Sequence, residues 1–521
     1  MVEKFFWADA IADKIIKEKG NKKEYVCASG ITPSGIVHIG NFREVITTDL
    51  VVRALKERGK KVRFIYSWDD FDRFRKVPPN VPKEFEKYLG MNVSEVPSPS
   101  GAKNPADFGS TKSEAAHSRR TGKDFVGKGS YAEHFEKEFE KSLEKVDIKP
   151  ELIRQSVMGK KCVYAPLIKK AIEKRKEIME ILNKYRKEPL EDDWMPIGVY
   201  CEKCKKDSTK ILNAEGYFIE YQCECGFRNK IDFRKKGIVK AHWRVDWPIR
   251  WGYEKVDFEP SGIDHSVYGG SRMTGNEISK NIFDYNPPVD QLYEWVKLKG
   301  GKEFSSSAGN VLTLNEVEEI YEAEVLRYLF VSQKPRTAFQ ISFDNDVIKI
   351  YDDYDALEEK YYDGKADPKE KKVYEFSKLK IDKKKPERLS FRNLIAFVQA
   401  GKIEELNKND KARAEKVKNW LEKYAGDDMK FEIQEKIKIK PTGKEKQALI
   451  ELRKSLESKD YTEEELFNEF YLICEKLEIK NTEFFDIAYR AIINKERGPR
   501  LANLILVAGK DKIIKLLKQI K

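Results

Sequence analysis

No run of about 18 apolar residues, the least that could cross a membrane as a helix, occurs anywhere in the 521-residue chain. The opening MVEKFFWADAIADKIIKEKG is amphipathic and of mixed charge, and it lacks the apolar stretch of an export signal. Seven cysteines are not an even disulfide set, and four of them crowd between Cys201 and Cys225. That distribution points away from bridges, toward metal and a reducing, cytoplasmic compartment. A large excess of one charge is also missing. The net charge of +12 permits a polyanionic partner without demanding one. What is present is ordinary for a folded globular protein with a heavily solvated surface: 40% hydrophobic, 12% aromatic and 36% charged residues. At roughly 100 to 200 residues per domain, the length predicts about three domains.

Residues 3–19 have helical spacing, with Phe6, Ile11, Ile15 and Ile16 on one side and Gly20 placed as a C-cap. YVCAS (25–29) reads as a short buried strand, the pattern from Asn41 to Gly59 as a helix, and VRFIYSW (62–68) as a second strand. Strand, glycine-rich turn, helix, strand is the order of a parallel βαβ unit, with a ligand crevice at the carboxyl ends of the strands. Residues 98–129, rich in Ser, Gly, Lys and Ala, show no period and read as a flexible inserted loop. SYAEHFEKEFEKSLEKV (130–146) is helical, ELIRQS a strand, and a long charged helix is expected from Ala165 to about Lys187. Beyond about Asp344, few Gly or Pro breaks interrupt a Lys- and Glu-rich helical pattern, so an all-α C-terminal domain is expected.

Cys201 and Cys204 form a CxxC pair, and Cys223 and Cys225 a CxC pair, separated by YFIEYQ, which alternates as a β-ribbon does. Two knuckles brought together by a hairpin suit one tetrahedral zinc. With all four places filled by protein, such a site is structural.

The stretch ASGITPSGIVHIGNFRE (Ala28–Glu44) packs turns and a histidine into the mouth of the first crossover helix. Its PSGIVHIGN resembles the HIGH signature of class I aminoacyl-tRNA synthetases, with His38, Gly40 and Asn41 in register and only the last letter changed. Taken further, the chain resembles the class I type of lysyl-tRNA synthetase. The resemblance rests on FWADAIADKI, SGITPSG, SWDDFDRFRKVP (67–78), WRVDWPIRW (243–251), VDFEPSGIDH (256–265), FSSSAGNV (304–311) and NKERGPRL (494–501), which span nearly the whole length.

It implies an α/β fold: a Rossmann-like class I synthetase catalytic domain with a zinc-ribbon-bearing insertion and an all-α C-terminal anticodon-binding domain. The corresponding expectation is 1–163 for the first catalytic half, 164–240 for the insertion with the zinc knuckles and 241–312 for the second half. A stem-contact connector (313–350) and the helical anticodon-binding domain (351–521) complete it. Implied function is ATP- and Mg2+-dependent attachment of L-lysine to tRNA(Lys) through lysyl-adenylate, with activation dependent on tRNA. A histidine beside unpaired N–H groups at a helix N-terminus suits a triphosphate and the charge developing at its α-phosphate. By resemblance, Pro33, Ser34, Gly35, His38, Gly40, Asn41, Gly262 and Asp264 face ATP, while Gly30, Thr32, Trp243, Asp246, His265 and Tyr293 face lysine. His38, Asn41, Lys302, Ser305 and Ser307 are the expected catalytic set.

Two departures stand out. In the signature loop Glu303 occupies the usual lysine position and Lys302 sits one residue earlier. The second zinc site of archaeal relatives is expected to be absent, leaving His134 as a surface or packing residue, because SPSGAKNPADFG has no cysteine or histidine. Trp247 and Trp251 are assigned to the core, and the run Asp69, Asp70 and Asp72 either to substrate or to helix capping. Two other readings stand beside the main one: a class I synthetase for another amino acid such as glutamate, and a non-catalytic tRNA-binding descendant. Oligomeric state is left open, with a monomer favoured.

Overall fold

A computed structural model describes residues 6–99, 126–300 and 312–520. They fall into two units, the first built from Met1–Glu318, Leu326–Ile341 and Glu375–Leu379, the second from Glu319–Val325, Ser342–Tyr374 and Lys380–Lys521.

The first unit opens with α1 (Trp7–Lys19), β1 (Glu24–Ile31), α2 (Ile39–Glu57) and β2 (Lys61–Trp68). Five consecutive residues of β1 are buried, as expected of a strand covered on both faces of a parallel sheet. β1 pairs in parallel with β2, Gly30 opposite Ser67 and Ile31 opposite Trp68. A short antiparallel ribbon follows, β3 (Pro97–Pro99) with β4 (Val126–Ser130). The two ends of the segment expected to be structureless are therefore paired strands, and its middle, 100–125, lies outside the described residues. Next come α3 (Tyr131–Lys145), β5 (Glu151–Arg154) and α4 (Gln155–Lys160). β5 pairs in parallel with β2. ELIRQS thus turns helical at Gln155, where Asp70 accepts hydrogen bonds from the Ser156 N–H at 2.7 Å and from its hydroxyl. Of the aspartate run, Asp70 does the capping.

The expected long helix is two, α5 (Ala165–Glu173) and α6 (Arg175–Asn183), with Lys174 off helical geometry at φ −96° and ψ 20° between them. After β6 (Ile197–Val199) an antiparallel meander forms from β7 (Thr209–Glu215), β8 (Phe218–Cys223) and β9 (Arg228–Asp232), and β10 (Val239–Ala241) returns to pair with β6. Its core, with Ile197, Val199, Ile219, Tyr221 and Ile231 buried, continues into α5 and α6 through Ile168 and Ile178.

α7 (Trp243–Glu254) then returns to the parallel sheet. Trp247 and Trp251 pack against Val26, Ala28, Ile65 and Ile153, so both tryptophans belong to the core as the sequence suggested. Parallel bridges from Cys27 to Phe258 and from Phe258 to Val289 carry the sheet beyond β1. β11 (Ser261–Gly262), α8 (Ile263–Ser266), α9 (Ser271–Asn281), β12 (Leu292–Tyr293), β13 (Val296–Leu298) and β14 (Phe339–Ile341) complete the unit. Gly262 lies opposite Tyr293 in a parallel pair. The two halves of the chain thereby share one sheet, and their loops meet at the carboxyl ends of its strands.

Among its described residues the second unit holds helices and no strand, from Asp346–Tyr362 through Phe391–Gln399 and Lys408–Lys423 to Lys510–Leu517, with an irregular stretch at 425–442. Arg413, fully buried, is held there by Glu322 and Asp355, each at 2.7 Å. Among the described residues no helix is long and apolar enough to cross a membrane.

Candidate active site

α2 begins at His38, whose backbone N–H donates to Asn41 Oδ1 at 3.0 Å. The Ile39 N–H next to it donates to Leu312 O at 2.7 Å. Burial pushes the His38 imidazole down to about 4, so the ring is neutral at physiological pH. A neutral ring at this helix mouth can give one N–H to an anion without bringing a second buried charge. Gly40 has to be glycine because a Cβ would lie 2.8 Å from the His38 ring. Gly30 is constrained from the sheet, since a Cβ there would meet the Ser67 carbonyl oxygen at 2.6 Å across the β1–β2 pair.

These residues form one wall of a cavity of about 590 Å³. Gly30, Thr32, Ser34, Gly35, His38, Gly40 and Asn41 line it from the first half, and Trp243, Gly262, Asp264, His265 and Tyr293 from the second. Two residues expected there are placed elsewhere. Pro33 is buried and not on the wall. Asp246 is buried against Lys240 at 3.1 Å and Arg250 at 3.3 Å and does not reach this cavity. Lys302, Ser305 and Ser307 lie outside the described residues.

Carboxylates in the pocket differ in their partners. Asp69 pairs with the buried Arg250, and Asp72 takes Lys240 at 3.0 Å and the Thr32 hydroxyl at 2.8 Å. Both carboxylates are thereby neutralised by cations of the chain itself. Glu44 is different. It accepts hydrogen bonds from the Ser29 hydroxyl at 2.9 Å, the Gly30 N–H at 3.0 Å and the Tyr293 hydroxyl at 2.7 Å. No cation pairs with it among the described residues. Burial pushes its carboxyl up to about 7 against those hydrogen bonds, which favour the ionised form. Beside it a smaller recess is lined by Trp243, Trp247, Asp69 and His265. Trp243 stacks on Trp247 with ring centroids 4.9 Å apart, and His265 Nδ1 lies 2.7 Å from the Ser271 hydroxyl, which fixes the ring. A carboxylate between aromatic faces is a receptor for an organic cation.

Glu44 carries no motif of its own in the sequence. The available signal was spacing: it lies four residues after Gly40, hence on the same helix face as the turn residues.

The cysteine cluster is a separate site. The sulfurs of Cys201, Cys204, Cys223 and Cys225 all lie within 4.8 Å of one another. Cys201 and Cys225 are 3.7 Å apart, and Cys204 and Cys223 3.5 Å. Four thiolates about 2.3 Å from a tetrahedral zinc stand about 3.8 Å from each other, so the donor set fits that ion. Left-handed backbone at Lys205 (φ 65°) and Gly226 (φ 84°) makes the two knuckles turn. His134, by contrast, is exposed, and its ring lies edge-on to Phe135.

A parallel sheet whose first strand turns through glycines into a histidine-capped crossover helix, completed by a second half-site on the same sheet, is the catalytic unit of a class I aminoacyl-tRNA synthetase. The chain belongs to the family described as tRNA synthetases class I (K), whose model matches residues 5–115 and 123–380. An anticodon binding domain model matches residues 394–521. A lysine–tRNA ligase of Borrelia garinii is 43% identical over 98% of this chain and 99% of its own length. The lysine–tRNA ligase of Pyrococcus horikoshii is 39% identical over 98% and 99%, and that of Treponema pallidum 38% identical over 98% of each.

Proposed function

We propose that this chain attaches L-lysine to tRNA(Lys), activating it with ATP as lysyl-adenylate. The observation that carries the reading is Glu44: a carboxylate on the cavity wall with no cation on it among the described residues, held by three neutral donors. The lysine ammonium takes that place beside Trp243, His265 and Tyr293, and Glu44 ionises as the ammonium arrives. The substrate's own carboxylate then attacks the α-phosphate of ATP in line. The bond from that phosphorus to the bridging oxygen breaks, and pyrophosphate leaves with the electron pair. His38 and the first N–H groups of α2 face the developing charge, so catalysis is positioning and electrostatic stabilisation, with no covalent enzyme intermediate. In the second step the terminal ribose hydroxyl of the tRNA attacks the activated carbonyl and AMP departs. Gly262 and Asp264 border the nucleotide side. Magnesium would accompany ATP, and Cys201, Cys204, Cys223 and Cys225 would hold a zinc that ties the two knuckles of the insertion together.

A synthetase for glutamate would need a free arginine where the substrate carboxylate sits. Here the buried arginine of that region, Arg250, is committed to Asp69 and Asp246, and the free charge is negative. Pyrophosphate exchange measured with each amino acid in the presence of tRNA(Lys), followed by aminoacylation, tests the reading. Lysine alone should support both. Exchange with glutamate, or tRNA binding without lysylation, would overturn it.

A further inference from the structure

The cavity has a second pole that the reaction as described leaves unassigned. After β2 the chain runs through Asp72-Arg73-Phe74-Arg75-Lys76, and this loop places three basic residues on the cavity wall. Arg73 pairs with Asp207 at 3.3 Å. Arg75 and Lys76 are both exposed on the pocket wall; Arg75 stands in the field of Asp207, the carboxylate that Arg73 pairs with, and neither Arg75 nor Lys76 forms an ion pair of its own among the described residues. Phe74, buried between Arg73 and Arg75 in the chain, packs on Tyr131 with ring centroids 4.9 Å apart. The Phe74 N–H donates to Met91 O at 2.6 Å, and its carbonyl accepts from the Gly90 N–H at 3.0 Å. The two cations therefore sit on an anchored backbone. One cavity wall thus carries a carboxylate held by neutral donors alone and two exposed cations outside any ion pair of their own among the described residues. Glu303 meanwhile stands in the signature loop where a lysine would neutralise the leaving group.

We infer that Arg75 and Lys76 bind the β- and γ-phosphates of ATP and neutralise the departing pyrophosphate, a duty the signature loop of this chain is poorly equipped to perform alone. The inference rests on the reading of the site as an ATP-dependent one. As the bond between the α-phosphorus and the bridging oxygen breaks, the negative charge that accumulates on pyrophosphate falls on the guanidinium and ammonium groups. Charge-assisted contacts of this kind act most strongly where charge develops. A phosphate of the tRNA backbone has the same chemistry. ATP is favoured because both side chains line the wall that Glu44 and Gly30 also line, inside the amino-acid cavity.

The test uses the full chain with Arg75→Ala, Lys76→Ala, the double variant and Lys76→Arg. Calorimetry reads binding of inorganic pyrophosphate and of tRNA(Lys), and lysine-dependent pyrophosphate exchange is run with tRNA(Lys) present. The double variant should bind pyrophosphate about 100-fold more weakly and lose exchange mainly in kcat, on the order of one power of ten per cation removed. Its KM for lysine and its tRNA affinity should stay within about twofold of wild type, and Lys76→Arg should restore most of the loss. Unchanged tRNA and lysine binding also reports that the variant is folded. Wild-type pyrophosphate affinity in the double variant would overturn the assignment, as would a loss confined to tRNA binding. A wild-type chain that binds pyrophosphate through these residues yet shows no exchange with lysine would leave the cationic pair standing and sink the lysine reading instead.

Discussion

Replacing Glu44 by glutamine changes one charge and almost no shape, and the structure sets its two effects in opposite directions. The glutamine oxygen can still accept from the Gly30 N–H and the Ser29 hydroxyl, and its amide can donate to the Tyr293 oxygen, which now accepts. What disappears is the anion. With lysine bound, the ammonium would be buried without a counter-charge, a loss of about 3–5 kcal/mol, or about 150- to 5,000-fold in lysine affinity. Without lysine the sign reverses. The native carboxyl keeps its proton up to about pH 7, whereas an unfolded glutamate releases it near 4.5. Between those values the native state binds more protons, so wild-type stability falls as pH rises. The shift amounts to about 3 kcal/mol once pH is well above 7. Glu44→Gln has no such proton to lose. Its stability relative to wild type should therefore climb by about that amount from pH 4.5 to pH 8.5. Thermal melts across this range and lysine titration at pH 8 measure both effects. A variant that binds lysine within about tenfold of wild type, or whose relative stability is flat with pH, would refute the assignment of Glu44. The same linkage predicts that lysine binding near pH 6.5 releases a proton, visible as a buffer-dependent binding enthalpy.

Stripping the metal should unfold the meander of the insertion. A thiol-blocking titration is expected to release about one zinc per chain, and Cys204→Ser to lower the thermal midpoint; a preparation holding no zinc would end that reading. Arg250→Ala leaves Asp69 and Asp246 buried without the guanidinium between them and should cost about 3–5 kcal/mol in denaturant unfolding. A double variant with Asp69→Ala should cost less than the sum of the two single changes. His38 is held down to about 4 against an unfolded value near 6.5. Its contribution is therefore full above pH 6.5 and lost as pH falls through 4, up to about 3 kcal/mol. His38→Asn should flatten that acid limb and slow lysine activation by about 100-fold or more, and an unchanged activation rate would remove the histidine from the chemistry.

Much of this fold is legible in the sequence because local signals and tertiary demands agree. YVCAS is apolar throughout since β1 is covered on both faces, and Gly59 ends α2 with a φ of 70° that other residues rarely adopt. Reading fails where a partner distant in sequence decides. ELIRQS turns helical at Gln155 because Asp70, 86 residues before Ser156, accepts from the Ser156 N–H and caps that turn. Asp246 looks like a substrate carboxylate in WRVDW, but folding brings Lys240 and Arg250 against it. Segment 98–129 has no periodicity, yet the strand Pro97–Pro99 at its start finds an antiparallel partner in Val126–Ser130 at its end. The four cysteines needed no such help, because their spacing alone fixes the chemistry that can use them.

The same reasoning explains why the proposed amino-acid receptor is the least visible part of the site. Its carboxylate is identified by what does not pair with it, and absence of a partner is a property of the folded chain. Five aspartates and glutamates border the cavity together with Glu44: Asp69, Asp72, Asp264 and Glu294 on the wall, and Glu259 in the recess beside it. Asp69 and Asp72 are consumed by Arg250 and Lys240, Glu259 accepts from Trp251 Nε1 at 2.5 Å, and Asp264 is exposed beside His265. Arg250 and Lys240 thus act by subtraction. They neutralise Asp69 and Asp72, while Glu44, held by neutral donors alone, is left open to a cation beside Trp243 and His265. A site with several free carboxylates would accept a cation in several poses, and its substrate's own carboxylate would not meet one fixed phosphorus. With one anion held by Ser29, Gly30 and Tyr293 at the end of the sheet, the length of the substrate side chain sets where its carboxylate stands. That requirement separates an amino acid with a four-carbon ammonium arm from a shorter one before any chemistry begins.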